Sequence, residues 1–515
     1  MSNNNKRTAV FNNMLSQIIV QLITLVAGIL VPRFIIIQYG SEINGLASSV
    51  GQIVNYAALL EAGLGTASIH ALYAPLAQGN RERINAVCSS TKSFFCKVGI
   101  YFTLVVIAAS AIYPFFAKGE TDKITISILI IVIASTNIFE YFIHAKYRVL
   151  LTADQKLYII GYSRSAGLIL QTIIKLVLIL IGVNVIFVYL VSSAVLLLRI
   201  VFVHAYVKRK YPWVNFSAIP DHTALNQRKA LVWHQLAGLV VNNTSSIVIS
   251  TAIPSGLNLA SIFSVYSMVI NNIYNLITGA FSNGVVASFG QAKSLYDEDK
   301  FRKIYRNYEF GYYIVASVIY GAMASVLLPF IKLYTASADI DYTSLSVATL
   351  FIIVGILNAT RVPGSMLINA SGHFSQTKSR AIIEAVINVV FMLVLVHPFK
   401  IEGVLIASIL SFLYRVPDII LYVSKHILKS SPFLSIRRSI RMWICSLGSS
   451  ILISCCLLPA SINSWLSWML WGVIAVLVTL IITLFINFIA ENKAFKQLLS
   501  EAFVKLKNKF KEEKS

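Results

Sequence analysis

The sequence predicts an all-α integral membrane protein of about fourteen transmembrane helices. Three observations predict it. Only 12% of the 515 residues are charged and 57% are hydrophobic, against roughly 25% charged in a soluble chain. Apolar runs of the length needed to cross ~30 Å of hydrocarbon, about 20 residues, recur from end to end. Mean hydropathy is +0.75, and the two-residue alternation of barrel strands is absent.

The apolar segments run 8–31, 44–70, 94–116, 124–145, 158–182, 184–207, 230–252, 259–287, 310–331, 345–368, 381–397, 403–424, 442–459 and 465–489. The first is too long for a signal-peptide core and lacks a small-x-small cleavage site, so it reads as a retained span. Charge supplies an independent check on the count. With both termini in the cytoplasm, the inner segments hold 32 of the 43 Lys and Arg, and the outer loops hold five: Arg33, Lys118, Lys123, Lys332 and Lys400. Lys97, Arg164, Lys175, Arg199, Arg361 and Arg415 fall within spans. That asymmetry is the positive-inside pattern and fits an even number of spans. It also accounts for the net charge of +22 without nucleic acid as a partner. The outer loops are too short to hold a soluble domain.

An internal repeat divides the chain. Gly65-TASIHALYAPLAQGNRER resembles Gly284-VVASFGQAKSLYDEDKFR; LLTADQKLY from Leu150 resembles LINASGHFS from Leu367; LLLR ending at Arg199 resembles FLYR ending at Arg415. The shared offset of about 216–222 carries the inference. Six spans per repeat give both halves the same orientation, related by an axis along the membrane normal, as in transporters that expose a site between halves alternately. The expected organisation is an N-terminal six-helix lobe over 1–210, a C-terminal six-helix lobe over 228–428, helices 13 and 14 over 440–490, and a basic amphipathic cytoplasmic tail over 491–515. The tail places Phe495, Leu498, Leu499, Phe503, Leu506 and Phe510 at helical spacing among lysines, the pattern of a helix lying on a membrane surface.

Polar side chains within spans are costly, and they face a bundle interior or a water-filled cavity. Gln52, Asn55 and Tyr56 of span 2, Asn242 of span 7, and Asn271 and Asn275 of span 8 form stripes suited to a sugar-rich or amphiphilic ligand; the alternative is polar glue between helices. The acidic candidates for coupling are Glu61, Glu140, Glu384 and Asp418. Glu61 is expected to pair structurally, with His70 as one partner. His70, His144 and His204 read as ordinary histidines near inner span ends. Arg33, Lys175, Arg199, Arg361 and Arg415 are the basic candidates; arginine forks match pyrophosphate oxygens, and snorkelling to the interface is the alternative. Arg415 is followed by Pro417 and Asp418, which suggests an Arg–Asp pair at a kinked helix. Gly63 and Gly65 allow span 2 to bend.

No catalytic set emerges, and no cofactor or metal is implied. GxxxxGK[ST] and HExxH are absent, which argues against ATP hydrolysis and a zincin site. Asp339-Ile-Asp341 has the DxD form of some glycosyltransferases but sits in a short outer loop and reads as a solvated turn. The five cysteines form no CxxC pair, so neither a disulfide framework nor a zinc site is expected.

The run SEINGLASSVGQIVNYAALLEAGLGTASIHALYAPLA (Ser41 to Ala77), following VPRFII, resembles the start of Wzx-type polysaccharide repeat-unit flippases of the multidrug/oligosaccharidyl-lipid/polysaccharide exporter superfamily. The resemblance extends through the span pattern and is most specific between Lys6 and Arg83. It implies movement of undecaprenyl-diphosphate-linked oligosaccharides from the inner to the outer leaflet of the bacterial cytoplasmic membrane. The units then enter capsule, exopolysaccharide or O-antigen assembly, with cation antiport as the drive. It also implies that a polymerase and chain-length machinery act next. Arg33 falls where the family often has a basic residue after span 1, although Gln38-Tyr39-Gly40 replaces the usual Leu-Gly. Glu61 falls in the family's LLExGxG segment. A drug/cation antiporter and a lipid II flippase of the same superfamily are the near alternatives. A membrane glycosyltransferase or polymerase is the distant one.

Overall fold

The computed structural model describes residues 3–61, 64–220, 238–241, 243–282, 285–456, 462–497 and 500. Gly63, Asn242, the start of span 7 and residues 498–499 and 501–515 of the amphipathic tail lie outside them. Among the described residues every regular element is helical. Within the described residues ten stretches are long and apolar enough to cross a membrane, and the chain is a multi-pass, all-α membrane protein.

The helices are α1 (Asn3–Tyr39), α2 (Ser41–Ala57), α3 (Leu64–Gln78), α4 (Arg81–Phe116), α5 (Lys123–Phe139), α6 (Ala145–Ala153), α7 (Leu157–Ile181), α8 (Val185–Lys210), α9 (Ser245–Ala252), α10 (Gly256–Ser282), α11 (Val285–Leu295), α12 (Glu298–Tyr334), α13 (Leu345–Thr360), α14 (Val362–Ala370), α15 (Phe374–Tyr422), α16 (Phe433–Cys456) and α17 (Trp465–Ala490). Capping residues mark several starts: Asn80 accepts from the Arg83 N–H at 3.0 Å, Asp122 from Thr125 at 2.8 Å and Asn184 from Ile186 at 2.9 Å. Each satisfies an orphan donor of a first turn.

Segments read as single spans are broken at particular places. Span 2 is α2, a 3₁₀ turn over Ala58–Glu61, and α3. Segment 259–287 is α10 followed by α11. Segments 381–397 and 403–424 share α15, which breaks at Lys400, where φ is 49°. There Gly403 approaches so closely that a Cβ would lie 2.0 Å from the Leu395 carbonyl oxygen. α5 and α6 are joined by a π-helical turn over Glu140–His144, and a second such turn over Val423–Ile427 follows α15. Turns of this kind are rare and recur at functional sites.

The chain forms two compact units. Unit 1 is Met1–Val265 with Ser337–Asp341; unit 2 is Tyr266–Ala336 with Tyr342–Ser515. In unit 1, α4, α5, α6 and α8 bury Phe95, Phe102, Leu129, Ile130, Leu150 and Val203 in one apolar core. α1 lies along α7, where a Cβ on Gly161 would sit 2.5 Å from Ser16 Oγ. In unit 2, α12 packs against α16 and α17. Gly321 permits that approach, since its Cβ would meet Ser449 Oγ at 2.6 Å. Charges fasten the same three helices: Arg438 Nη2 donates to Glu491 at 2.6 Å and Nη1 to Glu309 at 3.3 Å, while Arg441 also pairs with Glu491.

Candidate functional site

Each unit contains a buried ion-pair network built on a span arginine. In unit 1 the π turn sets Glu140 and His144 one turn apart. Glu140 Oε1 accepts from His144 Nδ1 at 2.8 Å, and Oε2 accepts from Arg199 Nη2 of α8 at 2.9 Å. Arg148 of α6 has its Nε 3.8 Å from Glu140 and its Nη2 paired with Glu61 in the 3₁₀ turn. Two carboxylates therefore meet two arginines and one imidazole.

Unit 2 repeats the arrangement with different helices. Arg361, between α13 and α14, donates from Nη1 to Glu384 Oε1 at 2.6 Å and from Nε to Asn358 Oδ1 at 2.8 Å. Arg415 of α15 lies 3.2 Å from Glu384 Oε2 through Nε and 2.6 Å from Asp418 Oδ2 through Nη1. Arg380 closes the far end on Asp418. The Arg361 guanidinium also stacks 4.6 Å over the Phe412 ring, a favourable placement for a desolvated cation. Arg415 and Glu384 are 6% and 8% exposed, so neither snorkels to water.

At the repeat offset of 217, His144 corresponds to Arg361, and Arg199 lies 216 before Arg415. In each unit one glutamate bridges this pair of positions. The acid itself comes from different places, Glu140 on the π turn and Glu384 on α15. Removing one partner from such a network leaves a buried charge uncompensated, which costs about 3–5 kcal/mol.

A second constellation joins α2 to α9 and α10 within unit 1. α9 opens after a bend at Thr244, and the Ser246 N–H lies in its first turn. Gln52 Oε1 takes it at 3.0 Å, and Gln52 Nε2 donates to Ser246 Oγ at 2.8 Å. Ser49 Oγ donates to the Ser246 carbonyl at 3.1 Å, Asn55 Nδ2 to Asn243 Oδ1 at 3.2 Å, and Tyr56 OH pairs with Thr244 Oγ1. Asn44 Nδ2 donates to Ser261 Oγ at 2.7 Å. Gly45 makes the contact possible, because its Cβ would fall 1.7 Å from the Leu257 carbonyl oxygen.

The remaining sequence candidates are dispersed. Arg33 is half-buried on α1, one residue past Pro32. Lys175 of α7 holds its Nζ 3.6 Å over the Tyr189 ring. Asn271 and Asn275 are exposed on α10, the first donating to Ser267 Oγ at 3.3 Å. Three expectations are corrected. Glu61 pairs with Arg148, whereas His70 packs edge-on against Tyr73; the 3₁₀ turn redirects Glu61 from the course of a straight helix. His144 is 1% exposed and belongs to the Glu140 network, because the π turn rotates it inward. Asp339 is also not a free solvated turn residue: its carboxylate accepts from Ser41.

Arg148 and Arg380 escaped the sequence reading. Both stand just outside predicted span edges and resemble loop charge. Their positions one or two turns from Glu140 and Glu384 were the available signal.

Similarity to solved structures places the fold. The lipid II flippase MurJ, in an inward closed conformation, superposes with a TM-score of 0.61 at 14% identity over 92% of this chain and 98% of that chain. An inward-facing multidrug resistance MATE family transporter of the MOP superfamily gives 0.58 at 16% identity over 82% and 99%. The eukaryotic MATE transporter AtDTX14 gives 0.54 at 13% identity over 85% and 99%. No family model matches the chain, and no curated protein matches it. The fold is that of membrane transporters, flippases and MATE proteins alike.

Proposed function

We propose that the chain flips undecaprenyl-diphosphate-linked oligosaccharide repeat units from the inner to the outer leaflet of the bacterial cytoplasmic membrane, coupled to a cation gradient. The observation that carries this reading is the extent of the fold match. The flippase covers 92% of this chain, the inward-facing MATE transporter 82% and the eukaryotic MATE transporter 85%, though each is itself matched almost completely. The additional length favours the flippase design over the drug-antiporter design. The run from Ser41 to Ala77 narrows the substrate to polysaccharide repeat units.

The residue roles follow the chemistry. Arg33, Lys175, Arg199 and Arg415 supply cations for a pyrophosphate. Gln52, Asn55, Tyr56, Asn242, Asn271 and Asn275 supply amides and a phenol for sugar hydroxyls. Glu61, Glu140, Glu384 and Asp418 are the coupling carboxylates. Arg199 and Arg415 are held by carboxylates in this state, so a pyrophosphate reaching either must compete with Glu140 or Glu384. That competition is itself a route by which cargo binding and carboxylate charge become linked. Both termini lie on the cytoplasmic side in this reading, and a polymerase and chain-length machinery receive the product.

The test is transport by the purified full-length chain in liposomes. Undecaprenyl-diphosphate-linked oligosaccharide becomes accessible to an enzyme outside the vesicles if the reading holds. Transport of cationic drugs with no movement of the lipid-linked sugar would replace it with the drug antiporter. Rescue of cells lacking wall-precursor export would replace it with the lipid II flippase.

A further inference from the structure

We infer that His144 is the site at which a driving proton is carried, through its Nε2 atom. The inference deepens the transport reading and rests on it for the word "driving".

The argument starts from charge. In the unit 1 network Glu61 and Glu140 balance Arg148 and Arg199. Arginine does not lose its proton in proteins. His144 is the one member whose side chain can both accept and release a proton. Its Nδ1–H donates to the Glu140 carboxylate at 2.8 Å, which fixes the tautomer and leaves the lone pair on Nε2. That Nε2 is buried and has no hydrogen-bond partner among the described residues. A proton taken from water onto this lone pair converts the imidazole to imidazolium and adds one positive charge to the network; its release removes that charge.

Unit 2 supports the assignment by contrast. Arg361, Arg380 and Arg415 face Glu384 and Asp418, an excess of one positive charge. The residue 217 positions after His144 is Arg361, a permanent cation. Unit 2 therefore carries permanently, at the corresponding position, a positive charge that His144 has only on protonation. The imidazole replaces a fixed charge by a switchable one.

The surroundings are few. From α6 the turn meets Arg148, with Tyr147 and Lys146 beyond; from α8 it meets Arg199, with His204 hydrogen-bonded to Tyr147 at 2.6 Å. α4 presents Phe102 to Tyr141 and Gly99 to Phe142, while its Lys92 and Cys96 act on Lys146. Arg164 of α7 acts on Glu140, and Tyr141 on Glu61. The turn is continuous with α5. Among the described residues Glu140 is thus the sole carboxylate hydrogen-bonded to the ring, and its remaining partners, Arg148 and Arg199, are arginines that keep their protons.

Two measurements test the inference on the full chain. Hydrogen exchange of the Glu140–Arg148 segment in purified protein, corrected for intrinsic rates, should vary with pH between 5 and 8, by up to about tenfold per pH unit for one linked proton. His144→Gln, which keeps a donor to Glu140, and His144→Arg, which installs the unit 2 cation, should both flatten that dependence. Sugar movement in liposomes should respond to an imposed pH gradient in the wild type and not in either variant. A pH dependence that survives both substitutions would overturn the inference. Should the chain move no lipid-linked sugar while the exchange profile still depends on His144, the proton site stands and the substrate reading falls. Elution of His144→Arg as a folded monodisperse species separates loss of titration from loss of fold.

Discussion

Asp339 caps the start of α2 from nearly three hundred residues away. Its Oδ1 accepts from the Ser41 N–H at 3.0 Å and from Ser41 Oγ at 2.5 Å, and Oδ2 accepts the same N–H at 3.1 Å. Gly40, the residue at the cap position, has φ of 84° and no side chain to do this itself. The strap Ser337–Asp341 is covalently continuous with α12 and α13 but packs with unit 1. Asp339→Ala removes a capping carboxylate and is expected to lower stability by about 1 kcal/mol, read as a drop in melting temperature of the purified chain. Oxidising Ser41→Cys with Asp339→Cys on a background lacking the five native cysteines should arrest export reversibly. Full export through a fully cross-linked strap would show that it is a static clip.

Gly45 tests the contact between α2 and α10. A methyl there would overlap the Leu257 carbonyl at 1.7 Å and crowd the Ser261 N–H at 2.9 Å. Gly45→Ala should therefore impair export more than Gly51→Ala on the same helix, where a Cβ meets nothing within 4 Å. Comparable export and thermal stability for the two variants would contradict the packing described.

The unit 2 network predicts a charge-deletion pattern. Glu384→Ala strands Arg361 and Arg415 and should destabilise the chain by about 3–5 kcal/mol. Asp418→Ala should be milder, because Arg380 is 38% exposed and can reach solvent. Thermal unfolding in detergent ranks the two, and the reverse ranking would place the load on Asp418.

Glu491 lies just past α17 and offers a pH test. Burial raises its carboxyl pKa, but hydrogen bonds and charge from Arg438 and Arg441 more than offset this and leave it below the ordinary value. A depressed folded pKa contributes stability that is present above the unfolded value of about 4.3 and is lost as pH falls through the folded value. Glu491→Gln should lower the melting temperature at pH 7, with the difference shrinking as pH drops below that of a free glutamate. A difference that does not depend on pH would assign the effect to packing.

The sequence made some of these relationships legible and hid others for a physical reason. Apolar runs near 20 residues identify spans because the hydrocarbon thickness imposes that length. The Arg415–Asp418 pair is local, three residues apart on one helix, and can be read from spacing. Glu61 and Arg148 are 87 residues apart and meet only because a 3₁₀ turn and a π turn redirect both. Such turns leave no mark on an apolar run. His144 looked like an interfacial histidine because its depth depends on that same π turn. The repeat offset did carry information about it: position 361 is an arginine in a site that the acids alone did not reveal.

The most direct test of the central claim is the leaflet distribution of lipid-linked oligosaccharide in cells lacking this chain, read with an impermeant sugar-modifying reagent. The account predicts accumulation on the inner leaflet, protected from the reagent and relieved by restoring the intact gene. Unchanged distribution, together with greater sensitivity to cationic drugs, would contradict it and leave the same fold working as a drug antiporter.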